Sequence, residues 1–172
     1  TFNFMIKSFD LWGEYLFRSE KYEFASAPYL IMNNECRMVK KHLVIDNIDD
    51  MYIDSWIKLG DAKYLSHFFK DAENNYKKAY DLLIENDRYK SDIIRMAELC
   101  SKMSKTYYQL GEDANGKNLI RFATAVKGNL KTLTYDLTYN GNTQQVNVER
   151  VYKAISVNGV TTYYGEEGMT TN

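Results

Sequence analysis

Residues 53–86 read IDSWIKLGDAKYLSHFFKDAENNYKKAYDLLIEN, and the spacing of their large and small side chains predicts two short helices packed as a hairpin. Trp56 and Leu59 stand three residues apart, as do Tyr76 and Ala79, so each pair falls on one face of a helix. Large residues fill the gap between the helices. The small ones, Gly60, Ala72 and Ala79, mark where the two backbones come closest.

The same arrangement recurs on both sides of this stretch. Residues 4–18 read as a helix with Met5, Phe9, Trp12 and Leu16 at helical spacing, Gly13 follows Trp12, and past a turn come Ala25 and Tyr29. Helix is expected to continue over residues 30–45 and to break at 46–50, where DNIDD joins turn formers to carboxylates suited to a helix N-terminus. Pro28 is tolerable here only in the first turn of its helix, where no backbone N–H is needed. A third helix pair is expected over about 91–127, with Cys100, Met103, Ser104, Tyr107, Ile120 and Ala123 in the corresponding places. Trp12 and Trp56 are expected in the core.

These residues resemble the tetratricopeptide repeat, whose pattern is W-x2-L-G followed, past a turn, by A-x3-F/Y-x2-A. Residues 53–86 carry it most fully. In the first copy Phe9 takes the Trp position, Trp12 the Leu position and Gly13 the Gly position, while Met32 stands where Ala is usual. In the third, YYQLGED looks like the family's common turn, and Gly116 stands for the usual Ala. Corresponding residues Ile6, Ile53 and Ala97 are 47 and 44 residues apart, against a unit of about 34 in the family. The repeats are therefore elongated. The implied fold is mainly α, a superhelix of about three helix pairs over residues 1–130, and the implied style of function is binding rather than chemistry.

After Lys127 the pattern changes to a period of two. Leu133, Tyr135, Leu137 and Tyr139 alternate onto one face, Asn140-Gly141-Asn142 is a turn, and Val146 alternates with Val148. Asn158-Gly159 between VYKAISV and VTTYY is the strongest hairpin signal, because Asn-Gly accepts the positive φ of a type I′ turn. Residues 131–172 are read as a small antiparallel β-meander of three or four strands with a frayed end at EEGMTTN. So small a sheet is marginal alone in water, and docking on the helices is the expected outcome; pairing with another chain or belonging to a larger domain are the alternatives.

Composition bounds the rest. The chain has 172 residues, 45% hydrophobic and 26% charged, enough for one ordinary core. A net charge of -1 gives no overall pull toward nucleic acid or anionic membrane, so neither is an expected partner. No run of 18 apolar residues is present to span a membrane. A start at Thr1 suggests a trimmed product, from which any targeting peptide would already be missing. Cys36 and Cys100 are expected as separate buried thiols, a pattern that leaves the compartment open.

Chemistry finds little support. Gly111 to Asn118 satisfies G-x4-G-K, the phosphate-cradling pattern, but Asn118 replaces the magnesium-holding hydroxyl, Glu112 and Asp113 would repel phosphate, and the preceding segment is helical where the motif needs a strand. His42 and His67 lack ligand-spaced partners, so no metal or cofactor is expected, and no local signature of a nucleophile appears.

The resemblance implies a concave groove lined by the first helix of each pair. By repeat position its candidates are Lys7, Asp10, Glu14 and Phe17, then Asp54, Ile57, Asp61 and Tyr64, then Glu98, Ser101, Lys102, Lys105 and Tyr108. Of these, Asp10, Glu14, Phe17, Asp54, Asp61, Tyr64, Lys105 and Tyr108 are the expected partner-binding set. Acids dominate the first two copies, which disfavours a clamp for a carboxylate terminus and favours a basic or mixed peptide. The implied function is a non-catalytic protein-protein interaction module. Alternatives are a structural subunit of a larger complex, assembled in part through the C-terminal strands, and a sensor that changes pitch on binding a peptide.

Overall fold

The computed structural model describes residues 1–45, 47–128, 134–147 and 153–164. They form six helices, α1 Phe2–Arg18, α2 Tyr22–Lys40, α3 Ile48–Leu65, α4 Phe69–Ile84, α5 Ile93–Gln109 and α6 Asp113–Gly128, with a 3₁₀ segment Glu85–Ser91 before α5. Strands β1 Thr134–Tyr139, β2 Asn142–Asn147, β3 Lys153–Val157 and β4 Val160–Tyr164 follow. The chain is mainly α with a small antiparallel β appendage at its C-terminal end. Two compact units divide within α4, Thr1–Leu82 and Leu83–Asn172. The change of pattern after residue 130 lies inside the second unit.

The turns inside the helix pairs are alike. Glu20, His67 and Gly111 have φ of 57°, 64° and 76°, and they stand 47 and 44 residues apart. At each, the N–H of the positive-φ residue bonds three residues back and the next N–H bonds five back, with N···O distances of 2.8–3.1 Å. These are Schellman closures, which satisfy the last carbonyls of the first helix and reverse the chain. The segment Gly111–Lys117 is thus the turn after α5 and the start of α6.

In the first unit α1 packs on α2 and α2 on α3. Ile6, Tyr29, Met32, Cys36, Ile48 and Leu59 form the buried centre. Within each pair a glycine admits an aromatic ring. Tyr29 lies on Gly13 so closely that an added Cβ would stand 2.3 Å from its Cε2, and Tyr76 lies on Gly60 with the equivalent distance at 2.4 Å. Ser55 and Asn33 are buried together between α3 and α2, where Asn33 Nδ2 donates to Ser55 Oγ at 2.9 Å. A buried amide needs such a partner.

Several expectations change. Helix α2 ends at Lys40 instead of continuing to 45, and residues 41 and 42 turn out of it. Pro28 lies inside α2, at the seventh residue, instead of in its first turn. The bond it cannot donate would go to the carbonyl of Phe24. Trp56 does pack against the core, but Trp12 is 47% exposed. The six helices run 16 to 19 residues each, and the 3₁₀ segment Glu85–Ser91 lies between α4 and α5.

In the second unit Asp92 caps α5 by accepting the N–H of Arg95 at 3.1 Å. β1 and β2 pair antiparallel around Asn140-Gly141, β3 and β4 around Asn158-Gly159, and each turn has two positive φ values as a type I′ turn requires. Among the described residues these are two separate two-stranded hairpins. Tyr135, Leu137, Tyr139 and Val146 are buried, and β1 lies against α6. The turn is clasped to α6 by Asn115 and Asn140, which exchange two bonds of 2.9 Å. Leu133, Val148 and the EEGMTTN tail lie outside the described residues.

Candidate functional site

Between α1 and α3, inside the first unit, lies a cleft of about 350 Å³. Ile6, Met32 and Met51 make its apolar part; Asn3, Lys7 and Asp10 from α1 and Asp54 and Lys58 from α3 supply its polar groups. Two cations and two carboxylates around apolar side chains form a charge-balanced pocket. Its position follows from the helical period, since Asn3, Lys7 and Asp10 share a face of α1, as Met51, Asp54 and Lys58 do of α3.

Of the expected groove residues, Lys7, Asp10 and Asp54 line this cleft. Several others are engaged within the protein. Glu14 Oε1 accepts from Lys58 Nζ at 2.6 Å and from the Tyr29 hydroxyl at 3.1 Å, and the same hydroxyl lies 3.0 Å from Asp10 Oδ1. Asp61 Oδ1 accepts from the Tyr76 hydroxyl at 2.6 Å. The two pairs match. A carboxylate following the close-contact glycine holds the hydroxyl of the tyrosine fifteen residues later, in both repeats. Phe17 packs on Tyr29 with centroids 5.8 Å apart and lies under the Lys58 ammonium. Tyr64 meets Phe69 edge-on at 5.2 Å. Lys105 and Tyr108 are exposed on α5 in the second unit, with the Tyr108 ring over Gly116.

Lys58 is the residue that sequence reasoning missed. It stands at the position Leu11 occupies one repeat earlier, so the pattern alone gives no reason to expect an ammonium there. Its bond to Glu14 tempers the acidic groove that counting charges had suggested.

These contacts move the titrations. The bond from Lys58 lowers the Glu14 pKa against the opposing effect of burial. Burial opposes the Lys58 charge, but the Glu14 bond and the fields of Asp61 and Asp10 outweigh it and raise the pKa. Burial, then the neighbouring carboxylates, pushes the phenols of Tyr29 and Tyr76 well above their ordinary value of 10.0. The Cys36 thiol is raised to about 11 by burial, so it stays protonated at neutral pH.

The signs give a pH prediction. Glu14 contributes stability that is present above its ordinary 4.5 and lost as pH falls through its lowered value. Tyr29 and Tyr76 contribute stability that is complete below 10.0 and lost as pH rises toward their raised values. The Tyr29→Phe/Tyr76→Phe protein should be less stable than the parent at pH 7, by about 1 kcal/mol per lost hydrogen bond. Between pH 9 and 11 it should lose less further stability than the parent. Urea titrations followed by circular dichroism would measure both, and parallel alkaline losses would refute the assignment.

Comparison of the chain with family models, with curated proteins and with solved structures yields no match. Among the described residues no cluster of three or more His, Cys, Asp or Glu is placed to hold a metal, and no helix is long and apolar enough to cross a membrane.

Proposed function

We propose that the chain is a non-catalytic interaction module of tetratricopeptide-like helix pairs, and that it holds a peptide of mixed charge in the cleft between α1 and α3. The observation that carries this reading is the cleft itself, with Ile6, Met32 and Met51 beside two cations and two carboxylates. Methionines adapt their shape to an apolar side chain, while opposed charges fix orientation and exclude wrongly charged partners. The matching turns at Glu20, His67 and Gly111 support the repeat reading.

The test uses Lys7 and Asp54, one cation and one carboxylate of the cleft outside the Tyr29 and Lys58 bonds described above. A partner captured from the native source should bind Lys7→Glu and Asp54→Lys proteins roughly tenfold more weakly by calorimetry, a loss typical of removing a well-placed charge pair. The melting temperature of the Lys7→Glu protein should match the parent's. Unchanged affinity in both variants would remove the cleft from the binding role.

A further inference from the structure

The tyrosines of the two glycine contacts are not held in the same way. In the second helix pair Asp61 accepts the Tyr76 hydroxyl hydrogen at 2.6 Å, and four residues earlier stands Ile57, which has no side-chain oxygen to compete for it. In the first pair Glu14 takes the place of Asp61, but four residues earlier stands Asp10. The Tyr29 hydroxyl lies 3.0 Å from Asp10 Oδ1, 3.1 Å from Glu14 Oε1 and 3.3 Å from the Asp10 carbonyl. A hydroxyl has one hydrogen to give. Glu14 is also served by the Lys58 ammonium, whereas among the described residues the Asp10 carboxylate has only a share of that single hydrogen. The glycine contact itself does not require Asp10, since Asp61 suffices in the second pair.

Asp10 is half-buried where it lines the cleft, while Asp54, the other lining carboxylate, is exposed and screened by water. A carboxylate drawn from water with bonding capacity unused favours a cation beside it. The surrounding field agrees. Glu14 and Asp61 both act on Lys58, and with Asp10 and Asp54 these four carboxylates outnumber Lys7, Lys58 and the Arg18 that acts on Glu14. Lys58 is already committed to Glu14 at 2.6 Å.

We infer that Asp10 determines the specificity of the cleft by receiving the ammonium or guanidinium of a Lys or Arg side chain, with a neighbouring apolar residue of the ligand on Ile6, Met32 and Met51. The inference rests on the peptide-binding reading above and adds which charge is recognised and by which residue. When the cation pairs with Asp10, the Tyr29 hydrogen passes wholly to Glu14, so the fold gives up no bond. An acidic group of the same peptide is left to Lys7, one turn earlier on the same face of α1.

The probes are acetyl-Leu-Lys-amide, acetyl-Leu-norleucine-amide, which keeps the lysine stem without its ammonium, and acetyl-Leu-Glu-amide. Each is titrated into the full chain and followed by the amide resonances of α1 and α3. The lysine probe should give saturable shifts and bind about three- to tenfold more tightly than the norleucine probe, as one ion pair at a half-buried site gives. The glutamate probe should bind more weakly still, and the margins should narrow in high salt. In the Asp10→Asn protein, whose amide oxygen can still accept from Tyr29, the lysine and norleucine probes should bind alike.

Equal binding of all three probes to the parent would overturn the inference and leave the cleft reading standing. No saturable shift from any probe would overturn both. A lysine preference that survives Asp10→Asn and vanishes in Asp54→Asn would assign the cation to α3 and overturn the inference as well. The comparison of probes on the parent needs no variant, so it decides the matter even if Asp10→Asn fails to fold.

Discussion

Replacing Gly60 by alanine is expected to destabilise the protein by about 1–3 kcal/mol, the usual cost of overfilling a packed core, although alanine is favoured over glycine in a helix by about 1 kcal/mol. The methyl group would stand 2.4 Å from Tyr76 Cε1 and 2.5 Å from Cδ1. The ring cannot readily withdraw, because it is 2% exposed and its hydroxyl is tied to Asp61 at 2.6 Å. Gly13→Ala meets the same obstacle in Tyr29, held by Asp10 and Glu14. Gly116→Ala is the contrast. There the new methyl would lie 3.0 Å from a Tyr108 ring that is 46% exposed and can move outward, so helix propensity should prevail and stability should hold or rise. Urea midpoints of the three variants test the ordering. Combining Gly60→Ala with Tyr76→Leu should cost less than the sum of the two single changes, since the smaller side chain removes the clash. A Gly60→Ala protein as stable as the parent would mean that the close approach does not constrain the fold.

The sequence carried this contact in readable form. A small residue followed at a fixed distance by a ring recurs as Gly13 with Tyr29 and Gly60 with Tyr76, and local spacing is enough to find it. The two Asn-Gly turns and the alternation of Tyr135, Leu137 and Tyr139 were legible for the same reason: turn chemistry and strand period act between near neighbours. Trp12 was not. Its burial depends on whether another helix covers that face, and Leu59, at the same repeat position, is buried only because α2 lies across α3. Pro28 misled in another way. A proline's missing bond is costly where its acceptor is enclosed, and periodicity does not tell which carbonyl faces solvent. The candidate site was half legible. Helical period placed Lys7, Asp10 and Asp54 on the right faces, while the bonds that draw Glu14 and Asp61 to tyrosine hydroxyls join separate helices.

The same distinction between local and long-range contacts sets the size of the effect expected at Leu137. A two-stranded hairpin is marginal by itself in water, so the stability of β1 and β2 must come from what their apolar face meets. That face holds Tyr135, Leu137, Tyr139 and Val146. Tyr135 meets Phe122 of α6 edge-on with centroids 6.1 Å apart, and the Tyr139 and Tyr107 hydroxyls are hydrogen-bonded to each other beside α5. Leu137 lies between the two tyrosines on the same face and is 0% exposed. Leu137→Ala should therefore cost about 2–5 kcal/mol, the range for emptying a fully buried leucine site. Because hairpin and helices share this core, the loss should appear in the helical circular dichroism signal, as an earlier urea transition. Asp136→Ala, one residue away on the exposed face, should change stability by less than about 0.5 kcal/mol. Equal transitions for Leu137→Ala and the parent would show that the helices unfold without regard to the hairpin, and the strands would then have to owe their order to something other than α5 and α6.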